Sequence, residues 1–312
     1  MNEKIKVYAV VGATASGKSS LALELAQRYG GEIISCDSMQ VYKKMNIGTA
    51  KPTKDELSLI RHHMIDIAEP DENFSCAEYV SLADAAIRDC AARGKLPIIC
   101  GGTGLYLDAL LREADFADDI NDDSVRAALM ELAKDKGADV LHAELARIDP
   151  ESAAAIHPNN VKRVARAIEI YRVGGITKSE LDRRSREQGT RFDLSAVELF
   201  YSDRDILYRR IEKRVDEMID MGLVEETREL MAQGVFDKNT TAAQAIGYKE
   251  LFGYLEGRES LREATDTLKT ATRRYAKRQM TWFGAKDYIT RTDVAGKTFE
   301  NIVNIVSEHF FS

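Results

Sequence analysis

The segment from Gly12 to Ser19 has the residue types and spacing of a phosphate-binding loop, G-x-x-x-x-G-K-[ST]. In such loops the glycines let successive backbone N–H groups surround phosphate oxygens, the lysine reaches the outer phosphate, and the serine hydroxyl can bind Mg²⁺. A glycine-rich turn that binds nothing is the alternative, but the segment follows the apolar run Ile5–Val11 and precedes the helical pattern Leu21–Tyr29. The sequence therefore predicts a diphosphate or triphosphate site, with Mg²⁺ as cofactor, formed by Gly12, Ala13, Thr14, Ala15, Ser16, Gly17, Lys18 and Ser19.

Asp37 is a second residue with chemical potential, because it follows the strand-like run Glu32–Ser35. The carboxyl ends of parallel strands form one rim of a sheet, so we expect Asp37 on the same rim as the phosphate loop, Gly12–Ser19. A carboxylate there could accept a proton from a nucleophile held beside the phosphates. The alternative is that Asp37 only caps the next turn, as aspartate commonly does.

The run Leu96–Cys100 ends in Gly101-Gly102-Thr103-Gly104, where an ATPase of this class usually has an acid that supports Mg²⁺ and the attacking water. The glycines permit close approach of a ligand, and the Thr103 hydroxyl could bind a phosphate or the acceptor. A simple turn is the alternative. The missing carboxylate favours group transfer to a bound acceptor over hydrolysis.

Arg210 and Arg214 lie one helical turn apart, so both could face a leaving diphosphate, although surface salt bridges fit the same spacing. His62, His63 and His157 lack the spacing of a zinc motif, and the four cysteines show no C-x-x-C pair. Neither catalytic zinc, a cysteine zinc site nor a disulfide is therefore expected.

The elements that position these residues alternate between strand and helix, which predicts an α/β fold with a parallel, P-loop NTPase-like sheet flanked by helices. From about Asp118 the pattern changes to charged amphipathic helices, and a strand returns at Val197–Tyr201. We expect a core of residues 1–117 and 195–312, the second part with C-terminal helices, interrupted by an all-helical insertion at 118–194. Helices are predicted to follow the returning strand at 205–221, 223–233, 243–256 and 261–283, and one helix of the insertion at Val161–Val173.

The composition is that of an ordinary globular chain, with 312 residues, 44% hydrophobic and 30% charged. No apolar run approaches membrane-spanning length and Met1–Val11 is too short for a signal peptide, so a cytoplasmic protein without a membrane partner is expected. A monomer is the expected oligomeric state. The net charge is −7, yet the segment from Lys162 to Arg191 contains nine basic residues and only four acidic ones, and a second basic cluster spans Lys269–Arg278. Solvated helix faces explain either cluster alone, but together with the phosphate loop they favour a polyanionic partner.

Several blocks of the chain, in order and over nearly its whole length, resemble the tRNA dimethylallyltransferase (isopentenyltransferase) family. The first group comprises Gly12–Ser19, Asp37–Tyr42, Ile47–Pro52 and Gly101–Tyr106. The second comprises Ile156–Asn159, Arg163–Glu169, Ile246–Glu250 and Ala276–Phe283. The resemblance implies transfer of a dimethylallyl group from dimethylallyl diphosphate to the exocyclic amine of the adenine immediately 3′ of a tRNA anticodon.

The same resemblance implies roles for individual residues. The loop would hold the prenyl diphosphate rather than ATP, Asp37 would accept the amine proton, and Thr103 and Arg214 would stabilise the departing diphosphate. Gln40 would be available to the edge of the target base, and basic side chains would bind the anticodon stem-loop. The implied tRNA-binding set is Asp37, Ser38, Met39, Gln40, Val41, Thr103, Arg126, Lys162, Arg163, Arg166, Lys277, Arg278 and Gln279.

Two other classes of protein fit part of the sequence. A P-loop small-molecule or nucleoside kinase would use Asp37 to deprotonate an acceptor hydroxyl, but a small acceptor does not require two basic helical regions. A non-catalytic, nucleotide-regulated RNA-binding protein would tolerate replacement of Asp37.

Overall fold

The computed structural model of the chain describes residues 4–112, 120–187, 189–237 and 240–311. The chain forms two compact units, one of Met1–Leu110 with Phe192–Ser312 and the other of Leu111–Arg191. The sequence analysis placed the corresponding boundaries at residues 118 and 194.

The larger unit contains a parallel sheet, in agreement with the predicted fold class. The strands among its described residues are β1 (Lys6–Gly12), β2 (Gly31–Cys36), β3 (His62–His63), β4 (Leu96–Gly101), β5 (Asp193–Phe200) and β6 (Thr290–Asp293). Their order is β3-β2-β4-β1-β5-β6, and every neighbouring pair is parallel. The carboxyl ends of β1, β2 and β4 therefore lie side by side at the centre of one rim.

The predicted strands were found with small shifts, and two were missed. The returning strand begins at Asp193, four residues before the predicted Val197, because its first residues pair with Lys6 and Val7 of β1. β3 has only two residues and β6 is polar, with the sequence Thr-Arg-Thr-Asp. Neither carries the apolar alternation by which a strand is recognised in a sequence.

Helices cover the sheet and form most of the smaller unit. Those of the larger unit are α1 (Lys18–Tyr29), α2 (Lys54–Leu59), α3 (Cys76–Ala92), α4 (Gly104–Leu111), α10 (Arg204–Asp220), α11 (Leu223–Ala232), α12 (Phe252–Leu255), α13 (Leu261–Gly284) and α14 (Phe299–Phe311). Those of the insertion are α5 (Asp123–Lys136), α6 (Ala138–Ile148), α7 (Pro150–Ala155), α8 (Val161–Gly174) and α9 (Lys178–Glu187). The predicted start of α8 is confirmed, and Gly222, in the left-handed region with φ 100°, separates α10 from α11.

The predicted helix over residues 243–256 is wrong. The segment forms two short 3₁₀ turns, Ala242–Gln244 and Lys249–Leu251, and only the four-residue α12. Gly247 interrupts the helix because its φ of 116° is outside the helical region. An added Cβ at Gly247 would also lie 3.2 Å from the Gly48 carbonyl oxygen, so this turn packs closely on another segment.

Side chains of each strand point alternately to the two faces of the sheet, and both faces are buried, as expected for parallel strands covered by helices. On one face, α1 and α14 pack against a cluster that includes Val10, Ile98, Val197 and Phe310. A smaller cluster joins Ala13 and Ala15 of the phosphate loop to α10 and α13. Among the described residues, no helix is long and apolar enough to span a bilayer.

Candidate active site

The phosphate loop leaves β1 at Gly12 and enters α1 at Lys18. Gly12 has φ 141°, and a Cβ there would lie 2.5 Å from the carbonyl oxygen of Leu199 in β5. Gly17, with φ 96°, is the N-cap of α1 and has no side chain to satisfy the first N–H groups of that helix. Those N–H groups and the helix dipole therefore favour an anion at the mouth of the loop.

Lys18 is partly buried inside the loop, and its Nζ donates to the Ala13 carbonyl oxygen at 3.3 Å. Burial lowers the pKa of Lys18, and the nearby charge of Arg214 lowers it further. Ser16 Oγ is buried without a hydrogen-bond partner among the described residues, whereas Ser19 is exposed. The loop thus concentrates positive charge and unsatisfied donors, as a phosphate site requires.

Two helices from the second half of the chain hold the loop in place. Arg210 Nε of α10 donates to the Ala15 carbonyl oxygen at 2.9 Å, at a residue whose φ of 62° is unusual for alanine. In α13, Gln279 Oε1 accepts from Thr14 N–H at 2.9 Å and Gln279 Nε2 donates to the Gly102 carbonyl oxygen at 2.9 Å. These contacts fix the phosphate loop relative to the loop that follows β4.

Gln279 was predicted to contact tRNA, and that contact stays a prediction; in the structure its amide is engaged inside the fold. Its side chain is only 5% exposed, and both ends of its amide bind backbone groups of the two loops. Glycine at position 102 is needed here, because an added Cβ would lie 2.1 Å from Gln279 Nε2. The geometry therefore supports a positioning role for Gln279, which connects the phosphate loop to the loop after β4.

Asp37 follows β2 on the predicted rim, where the structure shows the capping role considered for it and the proton-accepting role stays a prediction. Its Oδ1 accepts from Met39 N–H at 2.9 Å and from Gln40 N–H at 3.3 Å, so one oxygen caps the turn. Oδ2 has no hydrogen bond within the described ranges. The cap fixes the carboxylate orientation while the second oxygen is available to take a proton.

Thr103 contacts Ser38, the residue that follows Asp37. Its Oγ1 accepts from Ser38 N–H at 3.0 Å and lies 3.4 Å from Ser38 Oγ. Gly101 makes this approach possible, because an added Cβ would lie 2.0 Å from the Cys36 carbonyl oxygen. Thr103 thus ties the end of β4 to the Asp37 turn, which favours positioning over direct chemistry in this arrangement.

Arg214 completes the group of charges on this rim. Burial lowers the pKa of Arg214, and the carboxylate of Asp37 opposes that shift. The charge of Arg214 lowers the pKa of Lys18 and that of Asp37 raises it, so the three groups interact electrostatically. In the parts of the chain that the structure describes, Arg214 forms no ion pair, so its guanidinium remains available to an anion. Of the two spaced arginines, Arg214 is thus the ligand candidate and Arg210 the loop support.

The segment after Asp37 is held by residues that the sequence analysis assigned differently or missed. Gln40 Nε2 donates to the carbonyl oxygens of Thr49 and Ala50 at 3.3 and 3.1 Å, and its Oε1 accepts from Ser35 Oγ at 2.9 Å. Val41 is fully buried. The Gln40 amide is therefore engaged within the fold, and its predicted contact with a base edge stays a prediction.

Glu226 and Tyr248 were missed as supports of the same segment. Glu226 Oε1 accepts from Ile47 N–H at 2.9 Å, from Gly48 N–H at 3.1 Å and from Tyr248 Oη at 2.8 Å. An added Cβ at Gly48 would lie 2.5 Å from the Tyr248 ring. The blocks Ile47–Pro52 and Ile246–Glu250, which belong to the family resemblance, thus pack together around one carboxylate.

Tyr275 is a further missed residue, one turn before Gln279 on α13. Burial raises the pKa of its phenol, and a hydrogen bond with Thr103 opposes the shift. The Arg278 guanidinium lies 5.5 Å from the Tyr275 ring centroid, while Lys277 and Arg278 are exposed. The inner face of α13 therefore contacts the rim loops and its outer face carries the basic side chains predicted to bind tRNA.

In the insertion, the predicted tRNA-binding arginines are anchored by one buried carboxylate. Arg126 Nη2 and Arg166 Nη1 each lie 3.0 Å from Oε1 of Glu169, which is fully buried. Lys162 and Arg163 are exposed at the start of α8. The insertion thus presents two cations held by a buried carboxylate and two exposed ones, and their contact with tRNA stays a prediction.

The fold is a parallel α/β sheet with a glycine-rich loop between β1 and α1, and two cations and one oriented carboxylate lie on the same rim. These features define the class of protein: a phosphate-loop enzyme equipped for group transfer. A family model described as IPP transferase matches residues 40–286, more than half of the chain, and the chain belongs to that family.

Individual relatives agree with this assignment. A tRNA dimethylallyltransferase of Geobacillus thermodenitrificans is 52% identical, over 91% of this chain and 88% of its own. One from Caldanaerobacter subterraneus subsp. tengcongensis is 46% identical, over 98% and 97%. The crystal structure of a tRNA isopentenylpyrophosphate transferase from Bacillus halodurans has a TM-score of 0.72 and 42% identity, covering 98% of this chain and 97% of its own. That of a eukaryotic dimethylallyltransferase acting on tRNA has a TM-score of 0.82 and 30% identity, covering 97% and 78%.

Proposed function

We propose that the protein transfers a dimethylallyl group from dimethylallyl diphosphate to the exocyclic amine of the adenine immediately 3′ of a tRNA anticodon, releasing diphosphate. The observation that carries the proposal is the meeting of Lys18, Arg214 and Asp37 on one rim in a chain of this family. Two cations there suit a diphosphate, and one carboxylate suits the proton of an amine.

The proposed reaction breaks the bond between the allylic carbon and the diphosphate oxygen and forms a bond between that carbon and the adenine nitrogen. The electron pair of the broken bond leaves with diphosphate, whose charge Lys18, Arg214 and the loop N–H groups neutralise. The amine proton passes to Asp37 Oδ2. Thr103, which contacts Ser38, keeps the Asp37 turn in register with the loop.

Mg²⁺ is the proposed cofactor, and Ser19 fits as its protein ligand. The Ser19 hydroxyl is exposed in the first turn of α1, and Mg²⁺ in phosphate sites commonly takes its other ligands from phosphate oxygens and water. The ion would neutralise diphosphate charge. The neighbouring Cys100, in place of the usual acid, has its pKa raised to about 11 by burial and supplies no oxygen ligand.

The acceptor adenine must leave its stack to reach the rim, and unpaired loop bases leave at the lowest energetic cost. We propose that the segment Ser38–Val41 contacts the target base and that Thr103 lies close to it. Backbone contacts to the anticodon stem-loop come from Arg126, Lys162, Arg163 and Arg166 of the insertion and from Lys277 and Arg278 of α13. Such phosphate contacts supply salt-dependent affinity rather than sequence choice. A cytoplasmic monomer remains the proposed state.

The kinase alternative predicts ATP turnover, and the relatives named above do not favour it. The test is to incubate the protein with Mg²⁺ and unmodified tRNA, supply either dimethylallyl diphosphate or ATP, and analyse the digested nucleosides by mass spectrometry. We expect adenosine carrying a five-carbon group only with the prenyl donor. Unmodified adenosine together with ATP turnover on a small acceptor would overturn the proposal.

Replacing Gln279 with alanine is expected to raise KM for dimethylallyl diphosphate about tenfold. The change leaves Thr14 N–H and the Gly102 carbonyl oxygen without their buried partner, at a cost of roughly 1–3 kcal/mol. Steady-state kinetics with varied donor at saturating tRNA measures it. Gln27→Ala, on the exposed face of α1, is the matched control. An unchanged donor KM with weaker tRNA binding would instead return Gln279 to the tRNA surface.

A further inference from the structure

A second cluster of reactive side chains lies at the opposite end of the sheet from the phosphate loop. Glu32 is the second residue of β2, His63 ends β3, and Cys90 lies in the last turn and a half of α3. Glu32 is 6% exposed and Cys90 is fully buried, whereas the His63 side chain is 11% exposed and forms the accessible edge. None of the three takes part in the proposed transfer reaction.

The three potential ligand atoms already stand close to the separations that a metal ion imposes. Cys90 Sγ lies 3.5 Å from His63 Nε2 and 3.3 Å from Glu32 Oε2, and the nitrogen and oxygen are 2.7 Å apart. A tetrahedral zinc ion, with bonds of about 2.0–2.3 Å, sets such atoms about 3.3–3.6 Å apart. The two distances from Cys90 Sγ therefore already fit a zinc ion, whereas the distance between Glu32 Oε2 and His63 Nε2 must increase by about 0.6 Å.

The remaining neighbour, Arg93, binds both oxygens of the carboxylate, and its Nη2 also lies 3.7 Å from Cys90 Sγ. Its Nη1 donates to Glu32 Oε1 at 2.5 Å and its Nη2 to Glu32 Oε2 at 2.7 Å and to Asp89 Oδ2 at 2.7 Å. Ligating carboxylates are commonly hydrogen-bonded in this way. Glu32 Oε2 also accepts from Cys90 Sγ and pairs with His63 Nε2, so an ion would replace protons directed at that oxygen.

We propose that Glu32, His63 and Cys90 supply three ligands of a zinc site. Binding displaces the Cys90 thiol proton and places the His63 proton on Nδ1, which leaves Nε2 free to ligate. The ion would connect β2, the two-residue edge strand β3 and α3. Because β3 pairs with β2 only at Ile33 and Ile34, the expected effect is on the stability of this edge and not on prenyl transfer.

The test uses the full-length protein, purified without chelators and with the metal removed before titration. Zn²⁺ content is measured by elemental analysis, and Co²⁺ is added as a spectroscopic substitute. We expect one equivalent of Co²⁺ with tetrahedral bands and a thiolate-to-cobalt charge-transfer band. Zn²⁺ should also raise the melting temperature, since it binds the folded state.

The discriminating variant is Cys90→Ala, with Cys76→Ala in the first turn of the same helix as the matched control. Cys90→Ala should lose the charge-transfer band and bind the metal at least about 100-fold more weakly, since even outer partners of a metal site contribute about 10–100-fold. His63→Gln keeps a donor toward Glu32 but should also lose tetrahedral binding, which provides a second folded variant. A charge-transfer band that persists in Cys90→Ala would place the cobalt on another cysteine, and no band in the wild type would leave the cluster a hydrogen-bond network; either result would overturn the proposal.

Discussion

Asp37→Asn is expected to lower the rate of prenyl transfer by between about 100-fold and 10,000-fold while tRNA binding is retained. The asparagine side-chain oxygen can still accept from Met39 and Gln40 N–H, so the turn that Asp37 caps should persist. The second carboxylate oxygen, the proposed proton acceptor, becomes an NH₂ group that cannot take a proton. Single-turnover transfer at saturating donor and tRNA measures the chemical step, and filter binding measures tRNA affinity.

Two comparisons make this result specific. Asp55→Asn changes an exposed carboxylate in the first turn of α2 and should leave the rate unchanged. Asp37→Ala removes both the cap and the proposed base, so it should also weaken tRNA binding through the Ser38–Val41 segment. If Asp37→Asn turned over at the normal rate, Asp37 would be a cap alone and the amine would lose its proton to another group or to water.

The outline of the fold could be predicted because its signals are local. Apolar runs marked β1, β2 and β4, and the glycine-rich sequence between β1 and α1 marked the phosphate loop. Parallel pairing then put Asp37 and Thr103 on one rim without any knowledge of distances. The conformational break at Gly247 was missed, because an isolated glycine in an apolar pattern does not by itself show that its φ is positive.

The supports of the site could not be predicted, because they join residues far apart in the chain. Gln279 and Thr14 are separated by 265 positions, and nothing local to Gln279 distinguishes it from its basic neighbours on α13. Burial distinguishes them, and a helical wheel gives part of that signal: Tyr275 and Gln279 share the inward face, whereas Lys277 and Arg278 point outward. Likewise, His63 lacks a ligand partner in the sequence nearby, yet β2 and α3 bring Glu32 and Cys90 to it.

Arg214→Ala is expected to lower kcat/KM for dimethylallyl diphosphate by between about 100-fold and 1,000-fold, the usual cost of losing one group that stabilises developing negative charge. Burial lowers the pKa of Arg214, and within the described ranges it forms no ion pair, so its guanidinium is available to a ligand. Diphosphate gains negative charge as the allylic carbon leaves, so the loss should appear mainly in kcat. Donor-saturated single turnover separates that effect from binding.

Arg214→Lys tests whether the geometry or the charge of this group matters. Lysine keeps a cation but cannot make two parallel hydrogen bonds to a phosphate, so only partial recovery is expected if the guanidinium contacts the leaving group directly. Arg209→Ala, on an exposed position of the same helix, should behave as the wild type. Full recovery of activity by lysine would mean that Arg214 contributes only its positive charge, as Lys18 does. A higher KM for the donor with an unchanged kcat would instead mean that Arg214 binds the diphosphate of the intact donor and does not stabilise the leaving diphosphate.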